Sequence, residues 1–266
     1  MTTPAKHEPA ATPVAFGLIV IGDEVLTGAR TDEHLPAFKK RLAACGHQLA
    51  WYWLLPDEPG LLTRQLAASM AGPHPVFCCG GIGATPDDYT RACAAAAAGA
   101  PLVRHPEALA LIEGRFGADA YPHRVLMADL PAGAALIPNA FNQVPGFALN
   151  GHWFLPGFPH MAGPMADWVL DRHYPPGEPL HEAAVKVRGV PESRLIPLMS
   201  DVGSSFPRLK LFSLPHMGDD PHILLGFRGR GNLAPALAAL TAALERAGMA
   251  HEAAGDEGPH TAVSAD

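Results

Sequence analysis

Apolar positions along the first hundred residues keep two rhythms in turn. Phe16 to Ile21 form an unbroken apolar run closed by Gly22 and Asp23, the pattern of a strand buried on both faces. Leu35, Phe38, Leu42 and Cys45 then recur on one helical stripe that stops at Gly46. QLAWYWLL predicts a second strand, and Leu62, Leu66 and Met70 mark a second helix that again ends in glycine. PVFCC predicts a third strand. DDYTRACAAAAAG predicts a third helix, with aspartates in its first turn and Gly99 past its end.

A further helix is expected at 106–116. The Asn150–Gly151 pair between two apolar runs signals a hairpin with a type I′ turn, so the sheet should finish with an antiparallel addition. The stretch PGFPHMAGPMADWVLDRHY predicts a helix with Pro159 near its start. Strands alternating with helices predict an α/β fold, a mostly parallel sheet covered on both faces in three α/β/α layers. Ligands of such sheets bind outside the carboxyl ends of the strands. GDE after the first strand and GGIGATPDD after the third both fall on that edge.

YPPGEP, residues 174–179, reads as a linker, and the pattern changes beyond it. EAAVKVRGV predicts a strand, and Leu195, Leu198, Met199 and Val202 share a helical face. LKLFSL and HILLGF predict a hairpin, and Leu233, Leu237, Leu240 and Leu244 form a last helical stripe. The expected organisation is a disordered leader at 1–13, an α/β domain at 14–175, a small β-α-β-β-α domain at 180–250 and a disordered tail at 251–266.

Composition narrows the partners. The chain has 266 residues, 48% of them apolar, enough for a substantial core, and a formal net charge of -7. That charge offers no general attraction to nucleic acid or to anionic membranes. No apolar stretch reaches the length of a membrane span, and the first residues carry no secretory pattern. The four cysteines, Cys45, Cys78, Cys79 and Cys93, match no zinc spacing; they read as small buried apolar residues in a cytosolic protein.

The chemistry sits in the loops. Gly80, Gly81 and Gly83 precede a helix, where backbone N–H groups can approach and hold an anion. Thr85 and Thr90 can add hydroxyl donors. Asp87 or Asp88 can cap the helix, but two carboxylates beside an anion call for compensation. A divalent cation such as Mg, Mn or Co on Asp87 and Asp88 is one answer. An aspartate accepting hydrogen bonds from a ring or hydroxyl of the ligand is the other. Gly22, Asp23 and Glu24 lie on the same rim, and Asp32, Glu33 and His34 follow. No HExxH pair, GxSxG elbow or GK[ST] phosphate loop occurs.

Four segments, GDEVLTG with its following aspartate, GGIGATPDDYT, NAFNQVPGFAL and FLPGFPHM, stand in an order and spacing that resemble the molybdopterin-binding (MoaB/Mog-like) domain family. Within it, the likeness is nearest to the N-terminal region of competence/damage-inducible protein A, the CinA-like group, over residues 14–175. GVPESRL resembles the small second domain that often follows there. No amidase-like domain follows, so a stand-alone form is expected.

The resemblance implies a pterin phosphate or nucleotide as ligand, with molybdopterin as one such ligand. Pro156 and Gly157 join the binding loops, and Asp88 and Asp32 are the functional aspartates. It also implies metal-dependent cleavage of a nucleotide pyrophosphate such as ADP-ribose; a molybdopterin adenylyltransferase and a non-catalytic binding or carrier module are the alternatives. A dimer or trimer is the family habit. Ala84, where proline is usual, Glu33 and His34, where a Thr-Asn pair is usual, and His160 depart from the pattern. Nucleic-acid binding by the small domain is disfavoured, for it has no GxxG clamp and no strong positive charge. Its Lys186, Arg188, Arg228 and Arg230 read as a solvated face, with completion of the main site or a dimer contact as the other options.

Overall fold

The computed structural model describes residues 12–254. The chain divides into two compact units that meet in sequence between Gly177 and Glu178. Most of the leader expected at 1–13, and the tail beyond residue 254, lie outside the described residues.

The first unit runs β1 (Ala15–Ile21), a one-turn α1 (Asp23–Leu26), α2 (His34–Ala44), β2 (Gln48–Leu55), α3 (Pro59–Met70), β3 (Val76–Cys79), α4 (Thr90–Ala97), β4 (Leu102–Arg104) and α5 (Pro106–Phe116). Then follow β5 (Asp129–Pro131), β6 (Ala135–Ile137), β7 (Gly146–Leu149), β8 (His152–Leu155) and α6 (Pro159–His173). Six strands form the central sheet in the order β2-β1-β3-β8-β7-β6. β2, β1, β3 and β8 are parallel; β7 pairs antiparallel with β8, and β6 antiparallel with β7. Asn150 and Gly151 both take positive φ, 48° and 73°, in the hairpin turn, as a type I′ turn demands.

The strand period of two sorts the core into layers. Phe16, Leu18 and Val20 of β1 face Phe38 and Leu42 of α2 and Met165 and Val169 of α6. Ile19 and Ile21 face Leu62 and Leu66 of α3, Ala94 of α4 and Ile112 of α5. Both faces of β1 and β3 are therefore dry. The fold is mixed α/β with a mostly parallel central sheet and a separate antiparallel sheet.

That second sheet belongs to the second unit: β9 (His181–Val187), α7 (Ile196–Ser205), β10 (Lys210–His216), β11 (His222–Gly229), α8 (Ala234–Arg246) and β12 (His251–Ala253), in strand order β10-β11-β9-β12. β12 corrects the expectation of a tail from 251. HEA carries no apolar alternation; it is a strand because β9 offers it an open edge. The basic strand ends are engaged within the unit. Arg188 pairs with Asp220 and Glu252, Arg228 with Glu182, and the Arg230 side chain donates to the Glu178 carbonyl.

Candidate functional site

Three strand ends converge at the carboxyl edge of the first unit's sheet. β1 leaves at Gly22, β3 at Gly80 and β8 at Pro156. Strand order reverses between β1 and β3, which opens a crevice. A cavity of about 450 Å³ fills it, a size typical of small-molecule sites.

The glycine loop forms its floor. Gly80 has φ 114°, and a Cβ there would stand 2.1 Å from the Ile21 carbonyl oxygen. Gly81 has φ 66°, and a Cβ would stand 2.2 Å from Thr90 Oγ1. Both positions need glycine on two counts, left-handed backbone and close approach. Thr90 is fully buried; its hydroxyl donates to the Gly80 carbonyl at 2.9 Å and its amide to the Gly81 carbonyl at 3.0 Å. The structure places Thr90 beneath the loop, bracing it, rather than among the lining side chains.

The two aspartates precede α4 instead of lying in its first turn, and neither caps it. Sequence pattern alone misplaces them because the Thr-Pro-Asp-Asp segment forms its own turn. The Thr85 amide donates to Asp88 Oδ2 at 2.7 Å, and the Thr85 hydroxyl donates to the same oxygen. Asp87 is exposed and lines the cavity with Gly83, Ala84, Thr85 and Asp88.

The compensation the loop needs comes from Arg91, which the sequence reading passed over. Its guanidinium is buried behind the loop, donating to the Gly83 carbonyl at 2.8 Å, to the Asp129 carbonyl at 3.1 Å and to the Leu126 carbonyl. Burial lowers its pKa, and the charges of Asp88 and Asp129 act to raise it. The signal was available: a cation stands directly after Thr90, in a helix whose other residues are alanines and Cys93.

The β1 side contributes Gly22, Glu24, Arg30 and Asp57 to the lining. Glu24 holds Arg30 at 3.2 Å. Asp23 and Asp57 clasp one another: the Asp23 amide donates to Asp57 at 3.0 Å and the Asp57 amide to Asp23 at 3.3 Å. Burial raises the Asp57 pKa, the carboxylates of Asp23, Glu24 and Asp87 add to the rise, and the Asp23 amide opposes it. Pro156, Gly157 and Phe158 close the third side, with Asn142 from the loop before β7.

Asp32 stands apart from the cavity lining. Its carboxylate accepts from the His34 amide at 2.8 Å, the Leu35 amide at 3.1 Å and the Tyr52 hydroxyl at 3.2 Å, and the His34 ring lies at 3.2 Å. Burial works to raise its pKa, but the His34 and Leu35 bonds outweigh it and hold Asp32 below the usual carboxylate range. Burial and then the Asp32 charge push Tyr52 far above its ordinary value. Asp32 thus anchors the start of α2 onto β2. Among the described residues no group of three or more His, Cys, Asp or Glu is arranged to hold a metal. The donor set around Asp87 and Asp88 does not by itself fit a resident ion.

An α/β domain with a glycine-lined cleft at its topological switch point is a class of ligand-binding domain. The family follows from comparison with known proteins. A model described as "Probable molybdopterin binding domain" matches residues 17–174. A protein of Pyrobaculum calidifontis is 31% identical over 213 residues, covering 76% of this chain and 81% of that protein. A CinA-like protein of Anaeromyxobacter dehalogenans is 32% identical over 201 residues, 71% of this chain and 49% of the relative, so the chain spans about half that relative's length. The crystal structure of the protein CinA from Thermoplasma acidophilum, of unknown function, aligns with a TM-score of 0.56 at 26% identity, over 60% of this chain and 97% of that one. The chain belongs to the molybdopterin-binding domain family, and its first unit carries the matched domain.

Proposed function

We propose that the first unit binds a phosphorylated pterin or nucleotide, with a phosphate on the Gly80–Gly83 backbone, and cleaves or transfers at a pyrophosphate. One observation carries this reading: a glycine loop braced by Thr90 and backed by the buried Arg91 forms the floor of the cleft. Backbone N–H groups and a positive charge behind them supply what an anion needs where the side chains in front are acidic. Gly22, Glu24, Pro156 and Gly157 shape the walls. Asp87 and Asp88 orient water or a hydroxyl of the ligand. Mg, Mn or Co would arrive with the ligand's phosphates. Adenylyl transfer to molybdopterin uses the same floor and is a form of the same chemistry. The free thiols, three of them buried, fit a reducing cytosolic compartment. A dimer or trimer belongs to the same reading.

The test offers the purified protein ADP-ribose, FAD, NAD and ATP with each of the three metals and measures product release. Asp88→Asn should abolish any turnover and keep the fold. Full activity in that variant would sink the assignment.

A second reading is binding without turnover, as a molybdopterin-binding or carrier module. It is favoured by Asp32, whose carboxylate is already engaged by two amides, a ring and a phenol, and by Asp88, one of whose oxygens serves Thr85. Pterin phosphate bound tightly, with no product from any substrate and metal, would select it.

A further inference from the structure

We propose that Phe158, braced by His160 and Phe141, stacks the planar heteroaromatic ring of the ligand whose phosphate the glycine loop holds. The inference rests on the binding reading above and adds the residue that recognises the ring. Phe158 lines the cleft while 48% exposed, and Phe141 beside it is 68% exposed. Large apolar rings left in water beside a ligand cleft mark a surface that a ligand can cover. The position is specific. Phe158 follows Gly157, where a Cβ would stand only 3.3 Å from the Gly80 Cα. The ring therefore sits one residue from the point where this strand end touches the phosphate loop, within the reach of a single phosphorylated nucleoside or pterin.

The ring is also held in place. The His160 ring packs on Phe158 at 5.8 Å and 49°, and Phe141 packs on His160 at 4.9 Å and 68°. The Arg30 guanidinium lies 5.8 Å from the Phe158 centroid, steered by Glu24 at 3.2 Å. A guanidinium plane and a phenyl face that both border one cleft suit a flat, electron-rich heterocycle, since every such ring has a π-face. Bracing lowers the ordering cost of binding. Pterin and purine share this chemistry.

Calorimetry on the full chain tests it with three probes: ADP, neopterin monophosphate, and inorganic pyrophosphate, which has no ring. Phe158→Leu keeps an apolar side chain and removes the ring. It should weaken the ring-bearing probe about tenfold or more, the size of one lost stacking contact, and leave pyrophosphate unchanged. Phe158→Trp should retain affinity and gain a fluorescence signal quenched by the ring-bearing probe and not by pyrophosphate. Which of ADP and neopterin monophosphate binds tighter names the ring. Equal weakening of pyrophosphate, or undiminished binding in Phe158→Leu, overturns the ring subsite while the phosphate floor stands. Wild-type protein that binds none of the three overturns both.

Discussion

Asp32 and Asp88 make an instructive pair. Both follow a strand of the same sheet at its carboxyl edge, both precede a helix, and both stand in a motif of the family. The fold treats them differently. Asp32 is drawn back onto its own helix and onto Tyr52, every visible partner being part of the scaffold. Asp88 stays in the cleft lining, shaped by Thr85 in front and balanced by Arg91 behind. A carboxylate at the right edge of a sheet stays in the cleft lining only if its local donors hold it there and do not draw it back onto a helix.

Four substitutions test this contrast. The largest effect belongs to Arg91→Met. It leaves the Gly83, Leu126 and Asp129 carbonyls unpaired and the loop's negative charge unbalanced, and should cost about 3–5 kcal/mol. A urea midpoint should show it, with affinity for anionic probes falling in parallel. A loss below ~1 kcal/mol would mean the guanidinium is dispensable to the floor.

Gly81→Ala comes next. It forces a side chain into positive φ and against Thr90 Oγ1, so the loop must shift. The expected cost is about 1–3 kcal/mol, together with a weakening of pyrophosphate in calorimetry. Unchanged affinity would show that the loop backbone does not touch the anion.

Asp32→Ala should lose about 1–2 kcal/mol, the worth of a helix cap, while pyrophosphate affinity stays within twofold of wild type. Its pH signature is defined. The folded-state pKa lies below the unfolded one, so the stabilisation is present above the unfolded value and is lost as pH falls through the folded value. The variant should lack that acid-side slope. Loss of ligand binding at full stability would instead put Asp32 in the site.

Asp57→Asn is the smallest. Here the folded-state pKa is raised, so the group's contribution is present below the unfolded pKa and lost as pH rises through the folded value. Removing the charge should stabilise the protein at neutral pH by up to ~0.5 kcal/mol and have little effect in acid. A destabilised variant at pH 7 would show that the clasp with Asp23 outweighs the crowding of carboxylates.

Elements with a strong rhythm were legible from residues alone. The apolar run of β1, the stripes of α2, α3 and α8 and the Asn150–Gly151 turn need only local geometry and a dry side to face. The four segments that resemble the family likewise marked the loops that line the cleft. Short elements escaped. β4, β5 and β12 are three residues each, too brief for a period, and they exist because a neighbouring strand supplies their hydrogen bonds. Arg30 and Asp57 were among the cleft residues not singled out, for each lies on a segment whose role depends on what folds against it.

The parallel core, its antiparallel finish and the glycine loop at the carboxyl edge were written in local sequence. Periodicity, turn chemistry and steric freedom are properties of neighbours along the chain. Which acid lines the cleft was set by folding. That choice turns on partners remote in sequence, such as Tyr52 for Asp32 and the Leu126 and Asp129 carbonyls that fix Arg91 behind Asp88. A carboxylate's availability is settled by how many donors reach it, and donors are assembled by folding.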